Sequence, residues 1–245
     1  MKRAQANIND SHNEYLSDLS RIADVRYVPT EYDILISRVR TTQVTVERYM
    51  IESIEFEVHD VGGQRSERKK WVNSFPNVNA VIFVAALSEY DQTLAEAKRH
   101  NRMMEALNLF ESVVKNVHFE NTPIMLFLNK KDIFAEKIMY SNITDSPFFS
   151  DYAGPPNDFD HGVLYFIQKF EEHMEEDIND SFIHVTCATD TNNMEFVLDS
   201  SRIIIMNEVS LSLHHCLYPL FLYPPLFVQL EFYSHDVFTR VAPLK

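Results

Sequence analysis

The sequence predicts an α/β domain built on a mostly parallel sheet. Two continuous apolar runs, "NAVIFVAAL" (79–87) and "TPIMLFLN" (122–129), read as strands covered on both faces. Helical stretches with one apolar face lie between and after them. Upstream, "IEFEVHD" alternates Ile54, Phe56 and Val58 with Glu55, Glu57 and His59, the period-two pattern of a half-buried strand. Strands alternating with helices define the class.

In chain order, residues 1–33 are polar, with helical spacing around Tyr15, Leu16, Leu19 and Ile22, and Pro29 ends any helix there. From Val44 to Asp60 the pattern is extended. A helix is expected over 91–116, with Met103, Leu107, Phe110 and Val114 on one face. Another is expected over 163–177, with Leu164, Ile167, Phe170 and Met174 aligned. "FIHVTCA" (182–188) is a fourth, less apolar strand. A last helix begins near Asn192 and carries Val197, Ile204 and Ile205. From about Val209 the chain is apolar, aperiodic and interrupted by Pro219, Pro224 and Pro225. It is too broken for a membrane span and is expected to be poorly ordered.

The formal net charge of -14 over 245 residues argues against a nucleic-acid binder, which needs a basic face. Two cysteines, Cys187 and Cys216, make neither a disulfide framework nor a zinc-site spacing, so a reducing setting is expected. The first residues carry no apolar signal core and no Gly at position 2. The four glycines are Gly62, Gly63, Gly154 and Gly162. Neither glycine-rich phosphate-loop pattern can be written with them.

Three short motifs sit at predicted carboxyl ends of strands, where open α/β sheets bind ligands. In "DVGGQ" (60–64) an acid can hold a magnesium-bound water, glycines admit a phosphate close to the backbone, and a glutamine can orient an attacking water. In "NKKD" (129–132) a carboxylate can accept from both the ring N–H and the exocyclic amine of guanine. In "TCATDT" (186–191) a backbone N–H can donate to the guanine carbonyl, and Asp190 or Thr191 can cap the following helix. A tight turn, a solvated loop and a plain helix cap are the bland readings of the three. Their joint occurrence, in order and at strand ends, outweighs those readings.

With "RVRTT" (38–42), "DVGGQRSERKKW" (60–71) and "NDSHNEYLSDLSRIA" (9–23), the chain resembles α subunits of heterotrimeric G proteins from about residue 9 to 208. The resemblance implies a Ras-like GTPase domain over 34–208, a remnant of the α-helical insertion domain over 1–33, and a divergent tail over 209–245. It implies GTP and GDP as ligands, Mg2+ as cofactor, and GTP hydrolysis as a switch in receptor signalling. The implied partners are the βγ dimer, a receptor and an effector, with no nucleic acid. The implied location is cytoplasmic, peripheral at the inner face of the plasma membrane.

It further implies residue roles. Arg38 stabilises charge on the transferred phosphoryl group, and Gln64 orients the water. Thr41 ligates magnesium and Asp60 reaches it through water. The Gly63 N–H senses the γ-phosphate beside Gly62. Asn129, Lys130, Lys131 and Asp132 hold the guanine, with the Ala188 N–H on its carbonyl. Asp10, Ser11, Leu35, Ser37 and Arg38 complete the nucleotide contacts. The expected departures are the phosphate loop, the central first strand that precedes it, and most of the helical domain. Losing the strand leaves unpaired edges or forces new pairing. Losing four charge-assisted bonds of ~1.5 kcal/mol each costs ~6 kcal/mol of nucleotide affinity. A non-catalytic module presenting the second switch (Ser66 to Phe75) to βγ or an effector is the alternative reading.

Overall fold

The structure, a computed structural model, describes residues 15–37, 41–51, 54–73, 78–94, 97, 99–174, 183–215 and 226–232. Of residues 72, 73, 207–215 and 226–232 the backbone alone is described.

Ahead of the sheet, the described residues include two short helices, α1 (Leu19–Ile22) and α2 (Glu31–Ile36). Thr30 caps α2 through a reciprocal box with Asp33. The Arg21 guanidinium binds both Asp33 oxygens, at 2.8 and 2.7 Å, and so ties α1 to α2. That pairing, followed by the Thr30 N–H, holds the Asp33 carboxyl well below the usual carboxylate range.

The extended stretch expected from 44 to 60 is two antiparallel strands, β1 (Thr45–Ile51) and β2 (Ile54–Gly62). Strands β3 (Ala80–Ala86), β4 (Ile124–Asn129) and β5 (Ile183–Val185) follow the expected runs. Helices α3 (Arg102–Val114), α4 (Lys131–Ile138), α5 (Phe159–Glu171) and α6 (Thr191–His215) lie between and after them. A final strand, β6 (Leu226–Phe232), completes the sheet, in the order β1-β2-β6-β3-β4-β5. Every pairing except β1 with β2 is parallel.

Alternation along β3 and β4 divides the core in two. Val81, Phe83, Ala85, Leu126 and Leu128 face α3 and α5 in an aromatic-rich cluster with Phe110, Phe134, Phe166 and Phe170. Ala80, Ile82, Val84, Met125 and Phe127 join Phe56 and the α6 residues Val197 and Ile205 on the other side. Both faces are covered, which is why these strands read as unbroken apolar runs.

Two expectations need correction. The helix expected over 91–116 begins only at Arg102, because Asn101 caps it, accepting from the Met104 N–H at 3.0 Å. Asn101 also donates to the Tyr90 carbonyl at 2.6 Å, and Arg102 pairs with buried Glu89 at 2.9 Å, which ties the start of α3 back to the turn after β3. On α5 the buried stripe is Val163, Phe166 and Phe170, while Leu164 is exposed, and the helix runs over 159–171 rather than 163–177. Of the stretch from about Val209, the described residues form the end of α6 and β6, which lies between β2 and β3.

Candidate functional site

The carboxyl ends of β2, β4 and β5 bring the three motifs to one edge of the sheet. At the end of β2, Asp60 is buried and the Thr41 hydroxyl donates to its Oδ2 at 3.4 Å. A hydroxyl beside a carboxylate is a hard oxygen pair. Two such protein oxygens, completed by water and phosphate, are the donor set magnesium takes.

Gly62 is required by space. A Cβ there would stand 2.6 Å from the Thr41 carbonyl oxygen and 2.9 Å from Glu67 Cβ. The glycine therefore lets the segment before β1 close over the end of β2. Beyond it, Gln64 starts a turn, its carbonyl accepting from the N–H groups of Glu67 (2.8 Å) and Arg68 (3.2 Å). The chain then enters a 3-10 helix, Arg68–Asn73. Trp71 is buried and its Nε1 donates to the Gly62 carbonyl at 2.9 Å.

At the end of β4, buried Asn129 accepts through Oδ1 from the Ala188 N–H at 3.0 Å and the Thr186 hydroxyl at 3.2 Å. Lys130 takes the left-handed backbone conformation, φ 61°, that turns the chain into α4. The Lys131 N–H donates to the Thr186 carbonyl at 3.1 Å, and the Thr186 N–H to Leu128 at 2.8 Å. The two base-reading motifs are thus one hydrogen-bonded unit, with Asp132 exposed in the first turn of α4. Asp190 caps α6 by accepting from the Asn193 N–H at 3.1 Å, while Ala188 lies in the base-reading unit, so the capping and site readings of "TCATDT" coexist.

A family profile described as G-protein alpha subunit matches residues 1–205. The chain belongs to the G-protein alpha subunit family. It is accordingly a guanine nucleotide-binding alpha subunit of G-protein signalling, in a family that binds GTP and GDP and carries GTPase activity.

Against that family assignment, those expected site residues of this alpha subunit that the structure describes fall into three groups. Thr41, Asp60, Gly62, Gly63 and Gln64 lie together, and Asn129, Lys130, Lys131, Asp132 and Ala188 lie together. Leu35 and Ser37 sit at the end of α2, where the Ser37 hydroxyl donates to the Ile34 carbonyl at 2.7 Å. Asp10, Ser11 and Arg38 lie outside the described residues. The Ala188 N–H already donates to Asn129, so a base carbonyl has to share or replace that bond.

Sequence reasoning missed the side chains that hold the second switch. Buried Glu105 on α3 accepts from Arg65 (Nε at 2.8 Å, with Nη2 on its second oxygen) and from Arg68 at 3.0 Å. The Arg65 hydrogen bond leads in pulling the Glu105 carboxyl down to about 2. Lys70 donates to the Thr42 carbonyl at 2.6 Å and pairs with Glu67, bridging the two switch segments. The one available signal was a glutamate in the first turn of α3, together with a motif that carries two arginines.

Proposed function

We propose that this alpha subunit retains the base-reading and water-aligning parts of a magnesium-dependent GTPase, and that the 245 residues grip the nucleotide's phosphates weakly. The observation that carries the reading is the pairing of two preorganised half-sites on one sheet edge: Thr41 with Asp60, and Asn129 with Thr186 and Ala188. Thr41 and Asp60 would hold magnesium, which supplies charge neutralisation at the phosphates when bound. Gln64 would orient the attacking water from the turn after Gly63. Arg38 would stabilise charge on the transferred phosphoryl group. Asp132 would accept from the guanine ring N–H and amine. Asn129, with Oδ1 committed to two donors, would address the purine through its amide NH2.

The weak grip follows from the glycine inventory: Gly62, Gly63, Gly154 and Gly162 cannot form a phosphate-cradling loop in this sequence. Backbone donors and a lysine missing from the diphosphate cost ~6 kcal/mol, roughly ten-thousandfold in affinity. Association with βγ, a receptor and an effector, peripheral to the inner face of the plasma membrane, completes the reading.

Equilibrium binding of labelled GDP to the purified chain with magnesium tests it. The expected result is saturable binding weaker than micromolar that GDP competes and ADP does not. Submicromolar retention would refute the weak grip, and equal competition by ADP would refute the base site.

A second reading, the non-catalytic docking module, is favoured by one feature. Arg65 and Arg68 anchor the second switch to Glu105, and Lys70 anchors it to the Thr42 carbonyl, with Ser66 and Lys69 exposed. Stable βγ capture that does not change with added GTP or GDP would favour it.

A further inference from the structure

Strands β2 and β3 do not pair with each other; β6 stands between them and pairs in parallel with both. Its rows match Phe56 to Gly62 on one side and Ala80 to Val84 on the other. Among the described strands, the sheet is therefore two half-sheets joined by one segment. The half formed by β1 and β2 ends at Asp60 and Gly62. The half formed by β3, β4 and β5 ends at Asn129 and Val185.

We propose that the gap between β2 and β3 is a strand-acceptor site, and that its occupant is the chain's own segment Leu226–Phe232, inserted from the far end of the sequence to assemble the sheet. The ligand class is an extended, mainly apolar strand lying parallel to both neighbours, bound by main-chain hydrogen bonds on two sides. That the filled gap aligns the two halves of a nucleotide site rests on the function proposed above; the insertion itself does not.

The segment suits the gap and is bounded by its neighbours. "LFVQLEF" has five apolar residues of seven and no proline or glycine. The described pairing begins at Leu226, and the sequence just before it, Pro224 and Pro225, lacks the N–H groups a central strand must donate. Leu226, Val228, Leu230 and Phe232 stand in rows with Phe56, Ala80, Ile82 and Val84, the positions of the α6-side core. Glu231 stands between Val61 and Phe83, both positions of the aromatic-rich core. Glu231 is the one charged residue of the seven, and this makes register testable: with its row set between two core positions, an apolar residue at 231 is expected to favour the inserted state and to leave a free tail unaffected.

The test uses the full chain. Hydrogen exchange is expected to slow the amides of 226–232 by roughly tenfold or more, together with those of Phe56–Asp60 and Val81–Val84. Free exchange of 226–232 beside a protected β3 and β4 would overturn the insertion. In urea, Glu231→Val is expected to raise the unfolding midpoint and Val228→Pro to lower it or abolish the fold. Unchanged midpoints in both would overturn it. The midpoints are expected to be independent of protein concentration; concentration dependence would assign the strand to a second copy and refute insertion within one chain. None of these readouts involves nucleotide, so a failure of GDP binding leaves the outcome intact.

Discussion

Trp71 Nε1 donates to the Gly62 carbonyl at 2.9 Å, so the single tryptophan is bonded to the last residue of β2. This links a core side chain to the conformation of the switch. Trp71→Phe keeps most of the apolar contact and removes the donor, leaving a buried carbonyl unpaired. The expected loss is about 1–2 kcal/mol of stability, read from urea midpoints at unchanged m-value. In the wild-type chain, Trp71 emission is expected to change little on adding GTP and magnesium at micromolar nucleotide.

Gly62→Ala is expected to do more damage than a glycine substitution at an exposed turn. The new methyl group would meet the Thr41 carbonyl at 2.6 Å, and backbone cannot yield as a side-chain tip does. Relief requires moving the segment that carries the Thr41 hydroxyl away from Asp60. The expected cost is about 1–3 kcal/mol, with a loss of magnesium-dependent nucleotide binding that exceeds the stability loss. Binding measured well below the melting temperature separates the two effects.

Much of this was legible in the sequence, and the exceptions have physical causes. The unbroken apolar runs of β3 and β4 could be read because both faces of those strands are covered. The motif residues could be read because local backbone geometry demands particular side chains: glycine at 62, where a Cβ does not fit, and an oxygen acceptor at 129 facing two donors. The start of α3 was misplaced because helical periodicity runs smoothly through 91–101. The buried Arg102–Glu89 pair and the Asn101 cap break it through tertiary contacts. Strand β6 was missed because its partners lie more than a hundred residues away, and its alternation is blurred by Phe227. Glu105 was missed because its partners, Arg65 and Arg68, are distant in sequence.

The Glu105 pairing sets an acid limit on the switch. Its carboxyl is held at about 2 in the folded chain against 4.5 as its ordinary value. The pairing therefore contributes fully above pH 4.5, and that contribution is lost as pH falls toward 2. Because Arg65 is partly solvent-exposed, the expected contribution is discounted to about 1–3 kcal/mol. Glu105→Gln is expected to lower stability at pH 7 by that amount and to flatten the acid limb of the stability profile. Parallel acid limbs in wild type and variant would refute the assignment.

Asn129 and Asp132 separate structural from recognition roles within four residues. Asn129 is buried and its Oδ1 accepts from Ala188 and Thr186, so Asn129→Ala strands two donors inside the protein. The expected penalty is about 2–4 kcal/mol, visible in melting curves without any ligand. Asn129→Asp keeps two acceptor oxygens for those donors and is expected to recover part of that loss. Asp132 is exposed in the first turn of α4, so Asp132→Ala is expected to change stability by less than about 1 kcal/mol. Its effect is expected in recognition: under the proposed function guanine loses its paired acceptor with the carboxylate, and GDP is expected to compete no better than ADP. A stability loss in Asp132→Ala as large as that in Asn129→Ala would place both residues in the scaffold and remove the carboxylate from base recognition.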